Sequence, residues 1–390
     1  MVLLRLAPFI TAVSIGAFAF RGGAFAFRGE VWAVGLTAIV PALVFAQTTR
    51  IRAGAVAVLY YAAASWPIVP CARSFWFLPA TSLTAVAAWL AATLILSLPW
   101  LFLWTATRSE VFWRCPITLL IGAIPPIGLI GWASPLTSAG VLFPGSSWLG
   151  LASAAIIPSL RRNAAIAFGL VAVVANLAYI EPRTPKGWTA INTAIDTAAR
   201  AEPVADFEAV SLIQNAASQS TSTFLLAPES AVMRWNEAIL DLWRPTIDAL
   251  THRGATLLLG TSTALPGDTS YENLLIGIGK HPGNFVQRNP VPLAMWKPFG
   301  GKDSTPLRFT GRATLDIADQ RASVLICYEQ LLTWPILQSA FEQPTLILGI
   351  ANDYWCRGTH VPQAQQACTR AWARLFNIPA LTATNYGGEE

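Results

Sequence analysis

Three residues in the second half of this chain have the types and settings of a nucleophile, a base and a charge stabiliser: Cys327, Glu229 and Lys297. Cys327 ends the apolar run Val324-Leu325-Ile326 and precedes Tyr328-Glu329. A thiol at a strand-to-helix turn can act as a nucleophile towards an acyl carbon. Its competing reading is a small buried hydrophobe. Glu229 follows Leu225-Leu226-Ala227-Pro228, so its carboxylate stands at a strand's C-terminal end, where α/β sheets present ligands. The competing reading is a first-turn helix glutamate favoured by the helix dipole. Lys297 lies in Met295-Trp296-Lys297-Pro298-Phe299-Gly300-Gly301. There it serves either as a cation for an oxyanion or as a snorkelling loop lysine.

The elements that must position these groups read as alternating strands and helices. Strands are predicted at 223–227, 255–260, 273–278, 322–327, 345–350 and 380–384, with helices at about 189–218, 235–252, 331–341 and 361–376. Continuous apolar strands between amphipathic helices imply sheets covered by helices, hence an α/β class.

The ordered pair Pro228-Glu229-Ser230-Ala231 and Leu325-Ile326-Cys327-Tyr328-Glu329 resembles the carbon–nitrogen hydrolase (nitrilase) superfamily. Further similarity lies in Leu258-Leu259-Gly260, Tyr271-Glu272-Asn273, Ala351-Asn352-Asp353-Tyr354-Trp355, Pro362-Gln363 and Ala383-Thr384-Asn385-Tyr386-Gly387. The resemblance implies an αββα sandwich and a Glu–Lys–Cys triad of Glu229, Lys297 and Cys327. It also implies supporting roles for Glu329, Asn352 and Trp355, although a core tryptophan is the plainer reading of Trp355. The lysine has two possible places. Aligning on Pro298-Phe299-Gly300 selects Lys297, whereas counting back from Val291-Pro292 reaches Gln287, with Arg288 beside it. Arg288 brings charge to that place, but its planar fork is not equivalent to an ammonium. The resemblance further implies more strands and a final span after Gly387, so either the domain is C-terminally shortened, which would leave a sheet edge unpaired, or the sequence is truncated there.

The N-terminal half differs in kind. The chain has 390 residues, 54% hydrophobic and 12% charged, against about 25% charged in an ordinary soluble domain. Residues 1–180 hold ten arginines and two acids, a net +8, while 181–390 hold 16 Lys/Arg and 19 Asp/Glu, a net −3. Apolar runs at 5–20, 31–47, 53–70, 80–105, 116–133, 139–160 and 163–180 predict a polytopic α-helical membrane bundle over 1–180, with six or seven spans. The sixth run is interrupted by Pro144-Gly145-Ser146-Ser147. Seven spans put Arg5, Arg50, Arg52, Arg108, Arg114, Arg161 and Arg162 on the cytoplasmic side, as the positive-inside rule asks. The nitrilase-like domain, 187–390, then faces the periplasm from the inner membrane of a bacterial cell. Six spans would face it inward. A cleaved signal peptide is the rival reading of the first run. Gly-Ala-Phe-Ala-Phe-Arg-Gly occurs in tandem at 16–22 and 23–29.

Such a membrane half ahead of a nitrilase-like domain resembles the apolipoprotein N-acyltransferase family and its conjugal-transfer branch. The resemblance implies a phospholipid acyl donor and an amine acceptor on a lipoprotein or a conjugation-machinery protein. Two rival functions stay open: a catalytically degenerate accessory binding module, and a C–N hydrolase (amidase). No basic, aromatic-interleaved stripe suggests nucleic acid as a partner. The three histidines are scattered, so neither a metal nor any other cofactor is expected. Cys356 and Cys368, with a spacing that permits it, could form a disulfide in an oxidising compartment.

Overall fold

A computed structural model describes residues 2–21, 31–76, 78–79, 82–160, 162–196, 203–232, 234–266 and 270–386. The second copy of the tandem repeat and the stretch from Gly387 lie outside the described residues. The chain divides into two compact units. One comprises 1–182, 331–334 and 359–377; the other comprises 183–330, 335–358 and 378–390.

The second unit holds two sheets. The first has the order β1 (Trp188–Ala190), β2 (Phe224–Leu226), β3 (Thr256–Ala264), β4 (Tyr271–Gly279), β5 (Gly283–Val286). The second has the order β6 (Leu315–Ile317), β7 (Gln320–Ile326), β8 (Leu346–Asn352), β9 (Ala380–Asn385). Strands β1 to β3 run parallel and β3 to β5 antiparallel; β7 to β9 run parallel, with β6 antiparallel at the edge. One apolar core joins the facing surfaces: Leu226, Leu258, Leu275 and Phe285 from the first sheet meet Val324, Ile326, Leu348 and Ile350 from the second. The alternate residues Leu225, Leu257, Leu259 and Ile276 point the other way. They pack under Val210 and Ile213 of the helix Pro203–Gln219, and under Trp243 and Leu250 of the helix Glu237–His252. Both faces of these strands are therefore buried, which is why they read as unbroken apolar runs. Each fully buried leucine contributes roughly 1.5–3 kcal/mol. Two facing sheets, with helices packed outside the first, bear out the α/β class expected from the sequence.

Three elements differ from the sequence reading. The stretch expected as one helix over 189–218 instead begins within β1, and its described helical part is Pro203–Gln219. Its first residues complete the first sheet, a long-range pairing that local periodicity does not signal. The short strands β5 and β6 went unread because neither is long enough to show alternation. Cys327 lies just past β7, in a tight 3₁₀ turn over Cys327–Leu331.

In the helical unit, Thr84–Leu103 is the one described helix long and apolar enough to cross a membrane unaided. Arg50–Ser65 and Ile68–Phe75 qualify as a pair bent by 45°. The expected fifth run is helical over Arg108–Ala123 and stops before Pro125-Pro126, since a residue before proline is driven away from helical geometry. The sixth breaks at Pro144-Gly145 into Ala139–Leu142 and Ser147–Ile156. Among the described residues, length and composition alone support one span, or two if the bent pair is a single span. The unit's core packs Tyr60, Tyr61, Leu96, Trp100 and Trp372. Trp372 belongs to the late helix Val361–Phe376. A Cβ on Gly140 would stand 1.6 Å from the Ala371 carbonyl oxygen, so only glycine lets these backbones touch. Cys368 is a buried free thiol; the Cys356–Cys368 disulfide is not formed.

Candidate active site

Glu229 and Cys327 meet at the ends of strands from the two facing sheets. After β2 the chain turns through Ala227-Pro228-Glu229-Ser230, with Ser230 left-handed at φ 55°. Gly260 on β3 makes room for this turn. A Cβ there would lie 2.3 Å from the Pro228 oxygen and 2.5 Å from Glu229 Cα. Cys327 is itself left-handed, at φ 53°. That conformation costs a non-glycine residue about 1–2 kcal/mol, and here it lifts the side chain out of the strand's plane at the turn. The Cys327 thiol and the Glu229 carboxylate stand near enough for each to change the other's proton affinity.

The remaining partners of Glu229 are neutral. Asn273 Nδ2 on β4 donates to Oε1 at 2.6 Å, and the backbone N–H of Asn352, ending β8, donates to Oε2 at 2.9 Å. Burial pushes the Glu229 carboxyl above the usual carboxylate range, an effect that the Asn352 hydrogen bond, the nearby Cys327 thiol and the Asn273 hydrogen bond only partly offset. Burial likewise pushes the Cys327 thiol well up, and the nearby Glu229 and Asp353 charges push it further. At neutral pH the resting thiol keeps its proton.

The other sequence-selected residues divide sharply. Gln287 is fully buried just after β5 and spans the site. Its backbone N–H donates to the Asn273 carbonyl at 2.8 Å, and its side-chain oxygen accepts from Asn273 Nδ2 at 3.1 Å. Its Nε2 donates to the Ile326 carbonyl at 3.1 Å, directly before the cysteine. Lys297 is elsewhere: its backbone N–H bonds Ser304 Oγ at 3.3 Å, and its amine donates to the Lys302 carbonyl on the exposed side of the loop. Arg288 turns its guanidinium to Val324 O, Pro335 O and Ser339 Oγ, with Nε 3.6 Å from Glu329 Oε1. Glu329 is fully buried and accepts the backbone N–H groups of Ile326, Arg288 and Asn289 at 2.9–3.0 Å. Asn352 is held by Asn385, whose Nδ2 donates to Asn352 Oδ1 at 3.0 Å. Trp355 is half-buried and edge-on to Tyr354, their rings 6.2 Å apart.

Sequence reasoning assigned no part to Asn273 or Asn385, and met Gln287 only as a rival to the lysine. The available signal was a polar residue opening an otherwise apolar run, Asn273 before Leu274-Leu275-Ile276. Among the described residues no cluster of His, Cys, Asp or Glu could hold a metal ion. A surface groove of about 690 Å³ beside the helix Pro203–Gln219 is lined by Phe207, Ser211 and Asn215, and by none of the residues around the thiol.

Such a buried acid–thiol pair is suited to acyl chemistry, because the acid can take the thiol proton as sulfur attacks a carbonyl. No family model matches the chain. It is 30% identical to the conjugal transfer protein TraB of Agrobacterium fabrum, over 96% of this chain and 91% of that protein. It is also 30% identical to a probable conjugal transfer protein TraB of Sinorhizobium fredii, over 73% and 75% of the two chains. The apolipoprotein N-acyltransferase of Nitrosomonas europaea is 24% identical over 81% of this chain and 64% of its own length. Among solved structures, an amidase of the nitrilase superfamily from Nesterenkonia sp. AN1, as a double mutant with acrylamide, aligns over 53% of this chain and 79% of its own. Its TM-score is 0.36 at 15% identity. Identity at this level along nearly the whole of both chains settles the relationship: the chain belongs to the TraB family of conjugal transfer proteins.

Proposed function

We propose that this chain is a membrane-anchored, nitrilase-like protein of conjugal transfer in which Cys327 takes up an acyl group as a thioester. The observation that carries the reading is the placing of the Cys327 thiol beside the Glu229 carboxylate, the two carried on turns from two facing sheets and each shifting the other's proton affinity. Glu229 takes the thiol proton as sulfur attacks the acyl carbonyl. The C–S bond forms, and the C–O bond to the donor breaks as the proton passes to the leaving alkoxide. An acceptor amine then attacks the thioester: C–N forms, C–S breaks, and a proton returns to sulfur. Backbone N–H groups of the turns supply the oxyanion contacts.

The relative that is an N-acyltransferase favours a phospholipid donor and an amine acceptor on a lipoprotein or a transfer-machinery protein. The apolar helix Thr84–Leu103 and the bent pair Arg50–Phe75 favour anchorage in the cell membrane. Crossing of the inner membrane by the further apolar runs, with the nitrilase-like unit in the periplasm, belongs to the same proposal.

The test uses the full chain in lipid nanodiscs with acyl-labelled phospholipid. A hydroxylamine-labile label on the Cys327 peptide is expected, and Cys327→Ala lowers it by at least about 10³-fold. A label appearing only with small amides would replace acyl transfer by C–N hydrolysis. A second reading, an accessory binding module, is favoured by the neutral Gln287 inside the site. It predicts no label at all and undiminished plasmid transfer from Cys327→Ala cells.

A further inference from the structure

We infer that Asn273 and Gln287 form an uncharged amide relay that positions both Glu229 and the peptide before Cys327, so that the side chain at 287 brings no charge to the thiol's turn. This rests on the reading of Glu229 and Cys327 as the reacting pair.

The relay is continuous. Asn273 Nδ2 reaches Glu229 Oε1 at 2.6 Å and Gln287 Oε1 at 3.1 Å, using both of its donors. Gln287 Nε2 reaches the Ile326 carbonyl at 3.1 Å. The carboxylate after β2 and the backbone that launches Cys327 from β7 are thus tied to one another through two side chains from β4 and the end of β5. Register supports the arrangement: Leu274 pairs with Val286, and the Gln287 N–H continues that ladder to the Asn273 carbonyl. Asn273 and Gln287 are both buried, so each amide depends on the other for its hydrogen bonds.

Among the described residues, the charges that act on the pair itself are acidic, while one cation, Arg234 in the stretch after the Glu229 turn, acts on Tyr271. Glu229 comes from the β2 turn and Asp353 from the turn after β8; Glu329 acts on Glu229 from the Cys327 turn itself. Tyr271, on β4, feels the Glu229 charge. The nearest buried cation by sequence, Arg288, spends its donors on Val324, Pro335 and Ser339 and lies against Glu329. A thiol so placed reacts as its proton moves to Glu229, because the charges acting on it, from Glu229 and Asp353, are negative and disfavour a standing thiolate. Asn273 and Gln287 are therefore positioning residues, and the charge carried at 287 sets how readily the sulfur ionises.

The experiment reads peptide-resolved alkylation of Cys327 by iodoacetamide across the neutral-to-alkaline range. It uses the full chain in detergent and no acyl donor. Wild-type Cys327 is expected to react slowly at neutral pH and to accelerate only in alkali. Gln287→Lys, which sets an ammonium beside the turn, raises the neutral-pH rate about tenfold or more. Gln287→Glu moves it in the opposite direction. A merely structural residue would shift both variants the same way, through loosening of the fold. The inference is overturned if wild-type Cys327 already reacts as a thiolate at neutral pH, or if the two variants shift together. Alkylation needs no substrate, so absence of a lipid-derived thioester removes the acyl-transfer reading and leaves this result standing.

Discussion

Two buried carboxylates in the nitrilase-like unit sit within one network and are treated in opposite ways. Glu329 is surrounded by donors: three backbone N–H groups and the Arg288 guanidinium converge on it. Glu229 accepts from one backbone N–H and one amide, lies by the Cys327 thiol, and has no cation among its partners in the described residues. The first arrangement ties the turn after β7 to the chain leaving β5. The second holds a carboxyl whose proton affinity is raised by burial, which is what a proton acceptor for a thiol needs. Fold and chemistry thus use the same residue type, and what separates the two is the number of donors the tertiary structure brings to each.

Substitutions should separate the two carboxylates cleanly. Glu329→Ala leaves Arg288 buried without its ion partner and three N–H groups without an acceptor. It should cost about 3–5 kcal/mol, read as a shift in denaturant midpoint of the detergent-solubilised chain. An unchanged midpoint would erase the contrast. Glu229→Gln should cost less in stability but lower thioester formation by about 10²-fold or more. It should also flatten the pH dependence of unfolding. The folded-state pKa of Glu229 is raised, so the folded chain binds its proton more tightly than the unfolded one. The stability this contributes is full below the unfolded value and is lost as pH rises through the folded value. The wild type should therefore lose stability relative to Glu229→Gln over that window, and parallel pH curves would count against a proton held at Glu229.

Smaller effects sharpen the picture. Gly260→Ala must push the Pro228–Glu229 turn off β3. About 1–3 kcal/mol of stability should go with it, together with thioester yield; retained yield would mean the turn tolerates the shift. Lys297→Ala should change thioester formation by less than about threefold, since its amine is engaged with the Lys302 carbonyl. A loss near that of Glu229→Gln would return the stabilising role to Lys297.

Much of this was legible in the residue order. Strand β3 alternates Leu257 and Leu259 outward with Leu258 inward, and both sets are buried. Its composition alone therefore announced a strand covered on both sides. The turns bearing Glu229 and Cys327 were marked by Pro228 and by the end of an apolar run, because turns and strand ends are local properties. The N-terminal half was legible as apolar runs, but not their continuity, which Pro125-Pro126 and Pro144-Gly145 interrupt.

The choice between Gln287 and Lys297 shows where residue order stops. Both satisfy a plausible count along the chain, and Lys297 has the more suitable chemistry. The decision lies in the register of β4 against β5: pairing Leu274 with Val286 carries residue 287 to Asn273 and the Ile326 carbonyl, and leaves residue 297 on an outer loop. Amino-acid order determined the α/β class, the covered strands and the two turns, since hydrophobic period and turn chemistry act over a few residues. Tertiary structure alone decided that acid and thiol come together, that an amide and not an ammonium stands between them, and that Arg288 serves Glu329. Each of those outcomes depends on strands far apart in the chain being paired and stacked.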